Sequence, residues 1–251
     1  MRAAITGSHG QVGRALLRVL PDAIRVDRHH LDRIDADVVF HCAAWTDVDG
    51  CERDPKQAMD ANAELTRRVA ALGTRVVYVS TDYVFDGTSE SPYSESDAPN
   101  PISEYGASKL AGERVLGPND LIVRTSWICG DGPNIIATIV KLAHGEQPLR
   151  FATDQRSIPT LADDLAPMLA RMAEEERSGV WHVTNQGAVS AYELAREIVN
   201  HIGGDPSRVE PIRAAQLGRA APRPANSVLT SERLTPDELL PDWRSSPNLR
   251  T

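Results

Sequence analysis

The sequence predicts an α/β fold, a doubly wound parallel sheet with a small C-terminal lobe, on three observations. Short β-branched runs alternate with helical stripes through the first half of the chain, and the first run ends in glycines that open a helix. After Trp127 the alternation loosens, and from Ala220 onwards the chain is Pro-rich and irregular. Strands buried on both faces read as continuous apolar runs, and right-handed crossovers through helices join them.

The elements follow in order. Ala3 to Thr6 is a strand, and from Gln11 the residues Val12, Ala15, Leu16 and Val19 form a helical stripe that stops near Pro21. Ala23 to Val26, Asp37 to Cys42, Arg75 to Ser80 and Leu121 to Arg124 are further strands. Pro55 to Leu72 and Tyr105 to Leu116 carry helical periodicity. Beyond Trp127, Asn134 to His144, Ala162 to Glu176 and Ala191 to Ile202 read as helices, and Val180 to Thr184 as a strand. The expected division is a dinucleotide-binding domain, residues 1–127 with about 158–184, and a small substrate-binding lobe, about 128–157 and 185–251.

A chain of 251 residues, 41% hydrophobic, can bury one full core or one core and a small lobe. Its net charge of -8 argues against general nucleic-acid binding, yet a few backbone N–H groups and one or two arginines suffice to hold a phosphate. Cys42, Cys51 and Cys129 share no metal-ligand spacing, so no metal site is expected. Their scarcity fits a reducing cytoplasm. No apolar run is long enough to span a bilayer, and Gly7 and Gly10 interrupt the N-terminus early, against a signal peptide. The expectation is a soluble cytoplasmic protein with no membrane partner.

Gly7-Ser8-His9-Gly10-Gln11-Val12-Gly13 lies between the first strand and the first helix. The first glycine permits the tight turn, the second lets backbone approach a pyrophosphate, and the third lets helix and strand pack closely. The helix N-terminus then offers N–H groups and partial positive charge to the phosphates. This is the arrangement of a Rossmann-type dinucleotide site. Asp27, about 20 residues past the first glycine, is placed to accept the adenosine ribose hydroxyls, which favours NADH. Arg28 follows it and could pair with the extra phosphate of NADPH, so either cofactor fits.

Tyr105 and Lys109 form Y-x-x-x-K on a predicted helix, which puts phenol and ammonium on one face about 6 Å apart at Cβ. A phenol of pKa about 10 needs help to exchange a proton at neutral pH, and the lysine charge is expected to supply it. Upstream, Thr81 ends the strand RVVYVS, where ligands of open α/β sheets bind, and is placed to hydrogen-bond the substrate oxygen. The combination reads as Thr–Tyr–Lys carbonyl reduction.

These residues resemble those of extended short-chain dehydrogenase/reductases, and within them the dTDP-4-dehydrorhamnose reductase family. ITGSHGQVGRAL, CAAWTDVDGCE, MDANAELT, VSTDYVFDG, PYSESDAPNPISEYGASKLAGE, VRTSWICG, TDQRSIPTLADDLA and RPANSVLTSERL all look like blocks of that family. The resemblance implies NADPH- or NADH-dependent reduction of the C4 keto group of a dTDP-4-keto-6-deoxyhexose, ending in dTDP-L-rhamnose. By motif, Gly10, Gln11 and Val12 would touch the pyrophosphate, Asp27 the ribose, and Asp32 and Arg33 the adenine pocket. Ala43, Ala44 and Trp45 would line the cofactor channel, Asn62 would support the site, and Thr81, Asp82 and Trp127 would meet the sugar. Related dehydratases carry Thr-Asp-Glu at the strand end. Here Thr81-Asp82-Tyr83 lacks that acid, which disfavours elimination.

The chain departs from the pattern in three places. The segment between Asp32 and Asp37 is short, Ser157 stands where D-Q-x-G-x-P-T has glycine, and the chain stops soon after Trp243 where the family continues into a helix. Two other readings compete: a 4-ketoreductase for another nucleotide deoxysugar, and a non-catalytic NAD(P)-binding regulatory subunit like the β-subunit of methionine adenosyltransferase. The resemblance and the helical second half also suggest a homodimer.

Overall fold

The computed structural model describes residues 1–27, 31 and 34–249. Its centre is a six-stranded sheet in which every neighbouring pair is parallel. The chain enters at β1 (Ala3–Thr6), passes α1 (Gln11–Val19), and lays β2 (Ile24–Val26) on one side of β1. It then crosses to the other side with β3 (Val38–His41). α2 (Val48–Arg53), α3 (Pro55–Met59), a π turn (Asp60–Glu64) and α4 (Leu65–Ala70) lead to β4 (Arg75–Thr81). α5 (Glu104–Glu113) carries the chain to β5 (Leu121–Thr125). The reversal of direction between β1 and β3 opens a crevice at the carboxyl ends of the strands, where such sheets bind ligands.

Period-two alternation builds two cores from the same strands. Ala3, Ile5, Val38, Phe40, Val77, Val79, Leu121 and Val123 face one side, under Val12, Ala15 and Leu16 of α1. Ala4, Val39, Val76, Tyr78 and Ile122 face the other, under Leu65 and Val69 of α4. This is why the strands read as unbroken apolar runs.

After β5, short paired segments replace the regular alternation. β6 (Ile128–Cys129) precedes α6 (Ile135–Ala143), β7 (Leu149–Ala152), β8 (Arg156–Ser157) and β9 (Thr160–Leu161). α7 (Ala162–Glu174) then packs beside α1, and β10 (Gly179–His182) joins the main sheet next to β5. β11 (Val189–Ser190), α8 (Ala191–His201) and β12 (Val209–Ile212) return to the later part of the chain. A separate core gathers Ile136, Ile139, Leu149, Leu194, Ile198, Val209 and the fully buried Trp243. Among the described residues no helix is long and apolar enough to cross a membrane.

Candidate active site

The glycine turn takes the form its spacing predicts. Gly7 has φ +66, and a Cβ there would stand 2.6 Å from the Ala43 nitrogen. A Cβ on Gly13 would lie 2.3 Å from the Gly7 carbonyl oxygen, so only glycine lets α1 start this close to β1. The N-cap Gly10 brings no side chain over the first turn of α1. Asp27, just past β2, borders a hollow of about 330 Å³ with Gly7, His9, Arg25 and Ala43. Arg28, Asp32 and Arg33 lie outside the described residues, and so do His29 and His30.

The main cleft, about 620 Å³, runs from this turn along the strand ends. Gly10, Gln11, Val12, Gly13, Ala44, Thr81, Asp82, Tyr105, Lys109 and Trp127 all line it, so most of the residues named from sequence meet in one place. A second cavity of about 690 Å³ adjoins it and shares Thr46, Val48, Tyr83, Trp127 and Ile128 with it.

α5 reaches the cleft because its N-terminus is well made. Ser103 caps it by accepting the Gly106 N–H at 3.2 Å, and Glu104 stands in the positive first turn. A Cβ at Gly106 would come within 2.1 Å of the Tyr83 carbonyl oxygen. Glycine at 106 therefore lets the helix press against the end of β4. That contact sets Tyr105 edge-on to Tyr83, with ring centroids 5.8 Å apart.

Tyr105 and Lys109 share the cleft, and burial is the first influence on both. Burial, the dominant influence, raises the Tyr105 pKa well above the ordinary phenol range, and a hydrogen bond with Thr81 opposes it. Lys109 is not among the leading influences on the phenol. Its Nζ donates to the Val79 carbonyl at 2.8 Å and rests 4.0 Å over the Tyr78 ring. Burial pushes the ammonium down to about 7. The helical spacing correctly gave a shared face, yet the partners of the ammonium come from β4, far away in sequence.

Other side chains named from the sequence have defined partners within the fold. Both amide hydrogens of Asn62, in the π turn, go to the Trp45 carbonyl at 3.1 Å and to Ser108 Oγ at 2.9 Å. Its Oδ1 accepts the Trp45 N–H at 2.7 Å, so Asn62 ties the Trp45 loop to α5. Ala44 and Thr46, on either side of Trp45, line the cleft. The Gln11 amide oxygen accepts the Gly130 N–H at 2.7 Å, which leaves its backbone to face the turn while its side chain holds the 130–134 loop. Asp82, expected at the sugar, is 2% exposed with its carboxylate engaged by hydroxyl groups.

Several site residues carry no sequence signal of their own. Thr125 lines the cleft with a buried Oγ1 that has no hydrogen-bond partner in the protein. Arg223 crosses from the tail to hold Asp49 with two bonds, NH1 at 3.0 Å and NH2 at 2.7 Å. That pair holds Asp49 well below the usual carboxylate range. Arg219 lies exposed beside it, and both arginines line the second cavity with Arg150, Phe151 and Arg156. Trp127 stands between the two cavities with φ +35, a left-handed backbone that is rare outside glycine.

The chain is similar to proteins of known role along nearly its whole length. A dTDP-4-dehydrorhamnose reductase from Mycobacterium tuberculosis is 37% identical over 275 residues, 98% of this chain and 90% of that protein. A dTDP-4-keto-6-deoxy-D-glucose reductase from Streptomyces niveus is 36% identical, covering 91% of this chain and 88% of its own. The crystal structure of a dTDP-4-dehydrorhamnose reductase from Bacillus anthracis in complex with NADP superposes with a TM-score of 0.89 at 32% identity, covering 97% of this chain and 95% of the other. Together with a family model that matches residues 1–248, these likenesses make the chain a member of the family described as the RmlD substrate binding domain.

Proposed function

We propose that this chain reduces the C4 keto group of a dTDP-4-keto-6-deoxyhexose with NADPH or NADH, turning dTDP-4-dehydrorhamnose into dTDP-L-rhamnose. The observation that carries the reading is the meeting of the glycine turn, Thr81, Tyr105 and Lys109 in one cleft at the carboxyl ends of a parallel sheet. The names of the relatives support the sugar, and the NADP-bound homologue supports the cofactor.

The cleft suits a dinucleotide. Glycines at 7 and 13 let β1, the turn and α1 pack too closely for a Cβ, glycine at 10 leaves the start of α1 without a side chain, and Thr125 offers a buried hydroxyl with an open valence to a carboxamide. When bound, the dihydronicotinamide supplies the hydride that reaches the carbonyl carbon. The protein's own part is the proton. Burial keeps Tyr105 protonated at neutral pH, the form in which a phenol gives a proton to the forming alkoxide. Lys109, with Val79 and Tyr78 fixing its Nζ, stands ready for a ribose hydroxyl.

The second cavity takes the nucleotide end of the substrate in this reading. Arg219 is the cation placed for the diphosphate, because Arg223 is already held by Asp49. Support for the division into a cofactor domain and a sugar lobe comes from the separate core around Trp243. The similarity to the Streptomyces niveus enzyme favours a second reading, in which the 4-keto sugar belongs to another deoxysugar series.

The test is turnover of dTDP-4-dehydrorhamnose with each nicotinamide cofactor, followed by identification of the product. Tyr105→Phe should lower kcat about 10²- to 10⁴-fold, the usual range for a lost general acid. Unchanged turnover in that variant would reject the proton donor. Tight binding of the sugar nucleotide without turnover would favour a regulatory subunit.

A further inference from the structure

The face of α5 that carries Tyr105 and Lys109 continues for one more turn, so that Y-x-x-x-K extends to Y-x-x-x-K-x-x-x-E and ends in Glu113. Residues four apart are neighbours on a helix surface, which sets phenol, ammonium and carboxylate along one face. Three consecutive residues of β4 receive the last two of them. The Tyr78 ring lies under Lys109 Nζ, the Val79 carbonyl accepts from Nζ at 2.8 Å, and Ser80 Oγ donates to Glu113 Oε1. Arg124 of β5 then engages both carboxylate oxygens, Nε to Oε1 and NH2 to Oε2. Glycine at 112 permits this closeness, because a Cβ there would stand 2.4 Å from the Tyr78 hydroxyl.

Lys109 is 2% exposed and Glu113 is 6% exposed. An ammonium taken out of water is costly unless a counter-charge compensates it. Among the described residues no carboxylate hydrogen-bonds Lys109 Nζ, which has one carbonyl and one aromatic face. On the reductase reading, we propose that Glu113 is a positioning residue that acts through Lys109. Its carboxylate, one helical turn away and pinned by Ser80 and Arg124, keeps Lys109 in the ammonium form. An ammonium has three hydrogens, enough for the Val79 carbonyl and for a ribose hydroxyl of the cofactor. A neutral amine would have fewer hydrogens and no charge with which to hold that hydroxyl.

The titratable and charged groups around the pair come from every neighbouring element. They are Tyr105 on α5, Tyr78 on β4, His41 at the end of β3 with Cys42 after it, and Arg124 on β5, with His182 of β10 beyond Arg124. Burial keeps His41 and Cys42 neutral and raises Tyr78 well above the ordinary phenol range, so Glu113 is the anion of this group. Burial lowers the Lys109 pKa to about 7, and the charge of Glu113 is the first influence that opposes the fall. Arg124 is not among the leading influences on Lys109. The ammonium is present below its pKa and lost above it, so removing Glu113 moves the loss to lower pH.

The experiment is an NMR titration of protein isotope-labelled at the lysine Cε, without sugar or cofactor. The chain has three lysines, of which Lys56 and Lys141 are exposed, and Lys109→Met assigns the third signal. Wild-type Lys109 should titrate near 7. Glu113→Gln keeps the shape and removes the charge, so the Lys109 midpoint should fall by about one pH unit or more. The alkaline limb of kcat/KM for the nicotinamide nucleotide should move down with it. The double variant Glu113→Gln with Arg124→Gln puts an amide pair in place of the ion pair and leaves no charge buried alone. Its midpoint should fall as well, which keeps the test open where the single variant fails to fold. An unmoved midpoint in either folded variant overturns the proposal, because an ion pair that only braces α5 would leave Lys109 as it was. So does a wild-type Lys109 that titrates together with Lys56 and Lys141. A midpoint that falls in a protein whose wild type reduces no dTDP-4-keto-6-deoxy sugar supports the link from Glu113 to Lys109 and overturns the reductase reading instead.

Discussion

The two ends of the ligand crevice are built by different means. At the cofactor end a backbone shape does the work: β1, the glycine turn and α1 meet so closely that side chains are excluded at Gly7 and Gly13. At the end proposed for the sugar, irregular segments are held in place by side-chain hydrogen bonds and an ion pair. Asn134 donates to the Gly130 carbonyl at 2.8 Å, Arg223 holds Asp49, and Ser227 holds Asp82. The cofactor end therefore tolerates no added volume at Gly7 or Gly13, and the sugar end depends on keeping each polar partner.

The sharpest way to break this contrast is at Gly13. Gly13→Val must displace backbone atoms of Gly7 and Ser8, and nicotinamide nucleotide binding should fall below detection by titration calorimetry. Next in size is the buried ion pair beneath Ser80. Glu113 accepts Arg124 Nε at 3.0 Å and NH2 at 2.7 Å, and both side chains are 5% exposed. Glu113→Ala leaves the guanidinium buried without its counter-ion, so thermal or denaturant unfolding should show a loss of about 3–5 kcal/mol. The smallest change belongs to the sugar end. Arg219→Ala should raise the KM for the dTDP-sugar about tenfold and leave kcat and cofactor affinity near wild type, as measured by initial rates. Loss of cofactor affinity in that variant would erase the distinction between the two ends.

The same contrast explains what the sequence reveals. β1, β3, β4 and β5 announce themselves because both of their faces are apolar, and α1 because its stripe covers one of those faces. α2 escapes such reading. Of its residues only Gly50 and Cys51 are buried, and its start is fixed by the Asp47 cap rather than by any stripe. The strands from β6 to β9, with β11 and β12, span two to four residues each, too short for a period to show. Thr81, Tyr105 and Lys109 were legible because their chemistry follows local spacing. The Lys109 contact with Val79, the Asp82 hydroxyl cluster and Arg219 were not, because each joins segments that only the folded chain brings together.

Trp127 is the common partition of both chambers, and its left-handed backbone limits what can replace it. Glycine would sit there with least strain, and glycine would take the partition away. Any bulkier residue inherits the strained geometry and redraws both compartments together. A change of side chain at this position therefore bears on both compartments at once.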